Sequence, residues 1–127
     1  MVDYNSYLKG KDILSFNEAE EIYLKMISGL NLNDIYLKDI WDDLINNVLS
    51  YSAIRSKWLT LSREEKMEKD ESRSIIHNAV IFSFNILCRY LLANNQDVSW
   101  RTQLGDERKR IGDFAVYIAY IYGLNAR

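Results

Sequence analysis

Apolar residues recur along this chain at helical spacing. Ala19, Ile22, Tyr23, Met26, Ile27 and Leu30 repeat at i, i+3, i+4 and i+7, one face of a helix. Ser15 and Glu18 precede them at capping-box spacing, in which hydroxyl and carboxylate satisfy free backbone N–H groups reciprocally. Gly29 falls where a C-terminal cap belongs. A second stripe, Leu37, Trp41, Leu44, Val48, Tyr51, Arg55 and Trp58, alternates steps of four and three, and Ile40, Ile45, Leu49 and Ile54 widen it. It predicts a helix capped by Asn33 or Asp34 and ending near Leu59.

The stretch from Ser62 to Leu92 contains neither Gly nor Pro and predicts one long helix with two unlike halves. Between Ser62 and Arg73 every residue except Ser62, Met67 and Ser72 is charged, so this half is a solvated helix. Ser62 and Glu65 again have capping-box spacing, and Glu65–Lys69 and Lys66–Asp70 are i, i+4 pairs of opposite sign. From Ile75 the pattern turns apolar. Ile76, Val80, Ser83, Phe84, Leu87, Tyr90 and Leu91 form a stripe flanked by Ile75, Ala79, Phe82 and Ile86, while Asn78, Asn85 and Arg89 share the remaining strip. A helix apolar over most of its circumference is packed on several sides.

After a turn at residues 93–97, Val98–Leu104 predicts a short helix with Ser99 as its cap and Trp100 as a lid on the core. Gly105-Asp106 reads as a stop and a new cap. The last helix is predicted from about Glu107 to Tyr122, with Ile111, Phe114, Ala115, Ile118 and Tyr122 inward and Gly123 ending it. Residues 1–14 lack periodicity and read as a loosely held arm, with Tyr4, Tyr7, Leu8, Ile13 and Leu14 available to dock. The expected fold is all-α: a single-domain antiparallel four-helix bundle over 15–127, with a short additional helix and the arm at 1–14.

Composition agrees with this picture. The 127 residues hold no Pro and five Gly, and a 48% hydrophobic fraction argues against disorder. The net charge of −2 supplies no general attraction to nucleic acid or anionic lipid. A single cysteine, Cys88, cannot form an internal disulfide. No signal-peptide pattern opens the chain, and no apolar run approaches the ~20 residues of a bilayer span. The expected setting is cytoplasmic.

Arg55 stands where the period asks for an apolar side chain, so it either snorkels, pairs with a carboxylate or binds a ligand. If the second and third helices form a hairpin, Arg55 lies near Arg73, His77 and Asn78, where solvated helix becomes core. Arg55, Arg73, His77, Asn78, Arg89 and Asp113 are the candidate ligand-binding residues, either an ion-paired collar or an anion site. Asp113 would pair with Arg55 or Arg73, and Arg108 or Arg110 with the acidic block of the third helix. His77 is the only histidine, and no Cys-x-x-Cys, His-Glu-x-x-His, phosphate loop or nucleophile elbow is present.

Glu18/Glu21 and Asp39/Asp42/Asp43 give a second possibility, acidic residues on facing helices holding Mg²⁺ near a nucleotide phosphate. They loosely resemble the acidic pairs of all-helical nucleoside-triphosphate pyrophosphatases, although the second pair here is Asp-x-x-Asp. No catalytic residue, resident cofactor or metal site is assigned. The favoured expectation is a non-enzymatic protein-interaction module. Tyr117, Tyr120 and Ile121 on the last helix offer apolar surface for a homodimer or a protein partner.

The run Arg55-x-x-Trp58, Ser62-Arg63-Glu64-Glu65-Lys66, Arg73, His77-Asn78, Trp100-Arg101 and Arg108-Lys109-Arg110-Ile111-Gly112-Asp113-Phe114 resembles a small family of Gram-positive bacterial proteins classed as a domain of unknown function. The resemblance spans about residue 16 onward. It implies a small helical bacterial protein and carries no activity with it.

Overall fold

The computed structural model describes residues 13–58 and 60–125, which form five helices and no strand. They are α1 (Phe16–Ser28), α2 (Ile35–Trp58), α3 (Arg63–Ala93), α4 (Ser99–Leu104) and α5 (Arg108–Asn125). Most of the expected arm, residues 1–12, and Leu59 lie outside the described residues. Leu14, at the arm's inner end, is fully buried.

The caps follow local chemistry, with two departures. The Ser62 hydroxyl accepts from Glu65 N–H at 3.1 Å and the Glu65 carboxylate accepts from Ser62 N–H at 3.0 Å, a complete box opening α3. At α1 half of the box forms. Ser15 Oγ accepts from Glu18 N–H at 3.1 Å, but the Glu18 carboxylate accepts from Arg110 Nη1 at 2.8 Å. Asp34 caps α2, accepting from Tyr36 and Leu37 N–H, and its second oxygen accepts from the Tyr90 hydroxyl at 2.5 Å. At α4 the acceptor is Asp97, which binds the N–H and hydroxyl of Ser99, so Ser99 is not itself the cap. Gly105 turns the chain from α4 into α5 with φ +80°, a left-handed conformation that L side chains rarely adopt.

The core lies where α2 and α3 meet α5, with α1 and α4 closing it. Residues 111–119 of α5 are buried without interruption, so this helix is central rather than amphipathic. Phe84 packs on Phe114 and on the fully buried Trp100, with ring centroids 5.5 and 6.5 Å apart. Tyr117 was expected on the outside. It is 1% exposed, with Phe16 and Tyr23 edge-on to its ring at 5.3 and 5.8 Å. Tyr122, expected inward, is 40% exposed, and the helix continues through Gly123 instead of ending there. A helix apolar all round has no period from which to choose its inner face.

Contrary to the expectation from the sequence, α3 is long and apolar enough to cross a membrane by length and composition alone, a property it shares with the core helices of soluble proteins. Here His77, Val80, Ser83, Phe84, Leu87 and Leu91 are buried inside the protein. Ile75, Phe82 and Leu92 remain about 60% exposed.

Candidate functional site

Arg55, Arg73, His77 and Asp113 line one cavity of about 250 Å³, together with Ile13, Tyr51 and Lys109. Each arrives from a different constraint. Tyr51 and Arg55 stand one turn apart on α2, and Arg73 and His77 one turn apart on α3. Lys109 and Asp113 stand one turn apart on α5.

Gly112 permits the approach of α5 to the other two helices. A Cβ placed there would stand 2.5 Å from the Tyr51 hydroxyl and 3.4 Å from His77 Nε2, so only hydrogen fits. The Tyr51 and His77 rings lie beside each other with centroids 4.9 Å apart.

The buried imidazole is oriented by its partner. His77 Nε2 lies 2.9 Å from the carbonyl oxygen of Arg108. A carbonyl can only accept, so Nε2 carries the proton and Nδ1 holds the lone pair. Burial pushes the imidazole pKa below 6.5, and the positive charges of Arg108, Arg73 and Arg55 push it the same way against the raising effect of the Arg108 carbonyl. His77 is therefore neutral at pH 7. Formally the cavity walls carry three positive side chains, Arg55, Arg73 and Lys109, and one negative, Asp113.

Arg73 is also fixed from outside the cavity. Its Nη2 donates to Asp70 at 2.7 Å, and its guanidinium carbon lies 5.2 Å from the centre of the Trp58 ring. Its Nε is buried with no hydrogen-bond partner among the described residues. A cavity lined by three cationic side chains suits an oxyanion.

The remaining candidates are placed elsewhere. Asn78 accepts from Arg108 at 2.8 Å on the exposed side of α3. Arg89 is exposed and lies twelve residues beyond His77, roughly 18 Å along the helix at ~1.5 Å per residue. Arg110 pairs with Glu18 of α1 rather than with the acidic block of α3, and Asp70 of that block pairs with Arg73. Glu21 pairs with Lys25 and Asp42 with Lys38. Among the described residues no group of three or more His, Cys, Asp or Glu side chains could hold a metal ion.

Sequence reasoning missed Tyr51 and Lys109. Tyr51 stood in the apolar stripe, and Lys109 was hidden in the triplet Arg108-Lys109-Arg110. Successive helical residues point about 100° apart. The triplet therefore divides: Arg108 reaches Asn78, Lys109 faces the cavity and Arg110 faces α1.

No protein-family model, curated protein or solved structure matches the chain.

Proposed function

We propose that this is a non-enzymatic cytoplasmic protein that binds a small anionic ligand between α2, α3 and α5. The observation that carries the reading is the convergence of Arg55, Arg73 and Lys109 on one cavity with a neutral histidine and a single carboxylate. A surplus of partly buried positive charge is costly to the fold by itself and is relieved when an anion enters. The bundle reading belongs with this. Asp34 meets Tyr90, Asn47 meets Ser83, Tyr51 meets His77 and Trp58 meets Arg73, so numbers rise along α2 as they fall along α3. That order supports an antiparallel hairpin, and we infer a four-helix bundle of α1, α2, α3 and α5 with α4 as the additional helix.

Calorimetric titration with sodium sulfate or inorganic phosphate tests the function. Binding should be weakened at least tenfold in Arg55→Met. An Arg55→Met protein that melts earlier and still binds the anion would make the residue structural.

The expectation of a protein-interaction module keeps a place as a second reading, with its surface moved. On α5, Tyr117 is covered and Tyr120 and Ile121 are half-buried, whereas α3 presents Ile75, Phe82 and Leu92 to solvent. Sedimentation of Phe82→Lys against the parent protein tests that face. Identical monomeric profiles at high concentration would remove the homodimer.

A further inference from the structure

Building on the anion site, we propose that its ligand is a phosphate ester of a planar aromatic base, a mononucleotide in chemical class. The phosphate enters the cavity at Arg55 and Lys109, and the base lies in the neighbouring groove at Trp58.

Arg73 links the two spaces. It forms part of the anion cavity, its guanidinium lies over the Trp58 ring, and it holds Asp70. Trp58 and Asp70 in turn line a separate groove of about 380 Å³ with Met67, Lys66 and Arg63. A ligand that reaches from the cavity to the groove therefore crosses one guanidinium, a group that can donate to a phosphate with its edge and stack on a ring with its face. The Nε of Arg73 is buried and has no hydrogen-bond partner among the described residues.

The groove has the chemistry of a base platform. Trp58 is half-buried at the C-terminal end of α2. The same groove is lined by Met67, the lone apolar residue between Ser62 and Arg73, 72% exposed and without a place in the core. A thioether beside an indole makes a favourable apolar slot for a flat ring. Asp70 supplies an acceptor at its edge for a ring N–H or amino group. Stacking on an indole tolerates any base, because every base has a π-face. The groove selects for a flat ring rather than for one sequence letter.

Titrating the full chain with inorganic phosphate, adenosine and adenosine monophosphate tests this. Tryptophan emission is the optical readout, since Trp41 and Trp100 are buried and a ligand-dependent change reports Trp58. The monophosphate should bind about fivefold or more tighter than inorganic phosphate, the low end of what base–aromatic stacking contributes, and should quench the emission. Trp58→Leu should erase the advantage of the monophosphate, so that this variant binds it no more tightly than it binds inorganic phosphate. Met67→Ala, at an exposed position with no core contact to lose, should weaken the monophosphate severalfold.

Phosphate and the monophosphate binding equally, with unchanged emission, would overturn the nucleotide assignment and leave the anion site standing. Adenosine binding as tightly as its monophosphate would overturn it too, because the groove would then act without the cavity. If none of the three binds, the anion reading falls and this proposal falls with it.

Discussion

Every nitrogen of the Arg110 guanidinium meets an oxygen. Nε donates to the Leu104 carbonyl, Nη2 to that of Gln103, and Nη1 to both the Ile13 carbonyl and the Glu18 carboxylate, at 2.5–3.1 Å. Arg73, on the other side of α5, has Asp70 on one nitrogen, an indole under its face and a buried Nε with no partner among the described residues. Both groups are largely enclosed, with 17% and 25% of the side chain exposed. Arg110 ties α1 and the C-terminal end of α4 to the central helix, with four of its five N–H donors already committed. Arg73 faces Arg55 and Lys109 across a cavity, where cations gather without a matching number of carboxylates. Saturation by carbonyls marks an arginine that holds the fold, and convergence with other cations marks one that can hold an anion.

The largest expected effect breaks the saturated side. Arg110→Met removes four hydrogen bonds and strands three carbonyls and a carboxylate, so unfolding in urea should show a loss of roughly 2–4 kcal/mol. Anion affinity should stay within about a factor of two. Arg73→Met should do the reverse, costing about 1 kcal/mol or less while weakening the anion at least tenfold. Equal losses of stability in the two variants would erase the distinction between the regions.

Gly112→Ala is next. Its methyl group would collide with the Tyr51 hydroxyl, and Tyr51 is 4% exposed and held in the core. Overpacking of this kind costs about 1–3 kcal/mol, read as a lower melting temperature. The shift of Tyr51 or α5 would reshape the cavity, so anion affinity should fall together with stability. A Gly112→Ala protein of normal stability and affinity would show that the close approach of α5 is not needed.

Much of the helical frame was legible in the sequence because its signals are local. α3 was expected over Ser62–Leu92 and spans Arg63–Ala93, since a capping box opens it and Asn94 follows the last apolar residue. Three of the cavity residues were legible for a related reason: Arg55 broke an otherwise regular stripe, and hairpin geometry brought Arg73 and His77 near it. What escaped depends on partners distant in the chain. Glu18 looks like the second half of a capping box until Arg110, 92 residues away, takes its carboxylate. Lys109 and Arg110 are indistinguishable in sequence, and a single helical step sends one to the cavity and the other to α1. The uniformly apolar α5 offered no period at all, which is why Tyr117 and Tyr122 were assigned to the wrong sides.

The two regions should also separate by pH, as the smallest of these effects. The Arg110 hydrogen bond holds the Glu18 carboxyl below its ordinary 4.5. Its stabilisation is present above that value and is lost as pH falls through the lower folded-state value. His77 responds earlier. Its folded-state pKa lies below 6.5, so from pH 6.5 downward the unfolded chain takes up a proton that the folded protein resists. Stability should therefore slope downward as pH falls below 6.5, flatten past the folded-state pKa of His77, and slope again below about pH 4.5. In melting temperatures measured across this range, His77→Gln should remove the upper slope alone and Arg110→Met the Glu18 contribution to the lower. Saturating sulfate should make the upper slope shallower, because burial is the main cause of the lowered His77 pKa and an anion in the cavity offsets the smaller share that comes from the cations. A slope indifferent to sulfate but abolished by His77→Gln would show that the imidazole senses the fold and not the cavity's occupant.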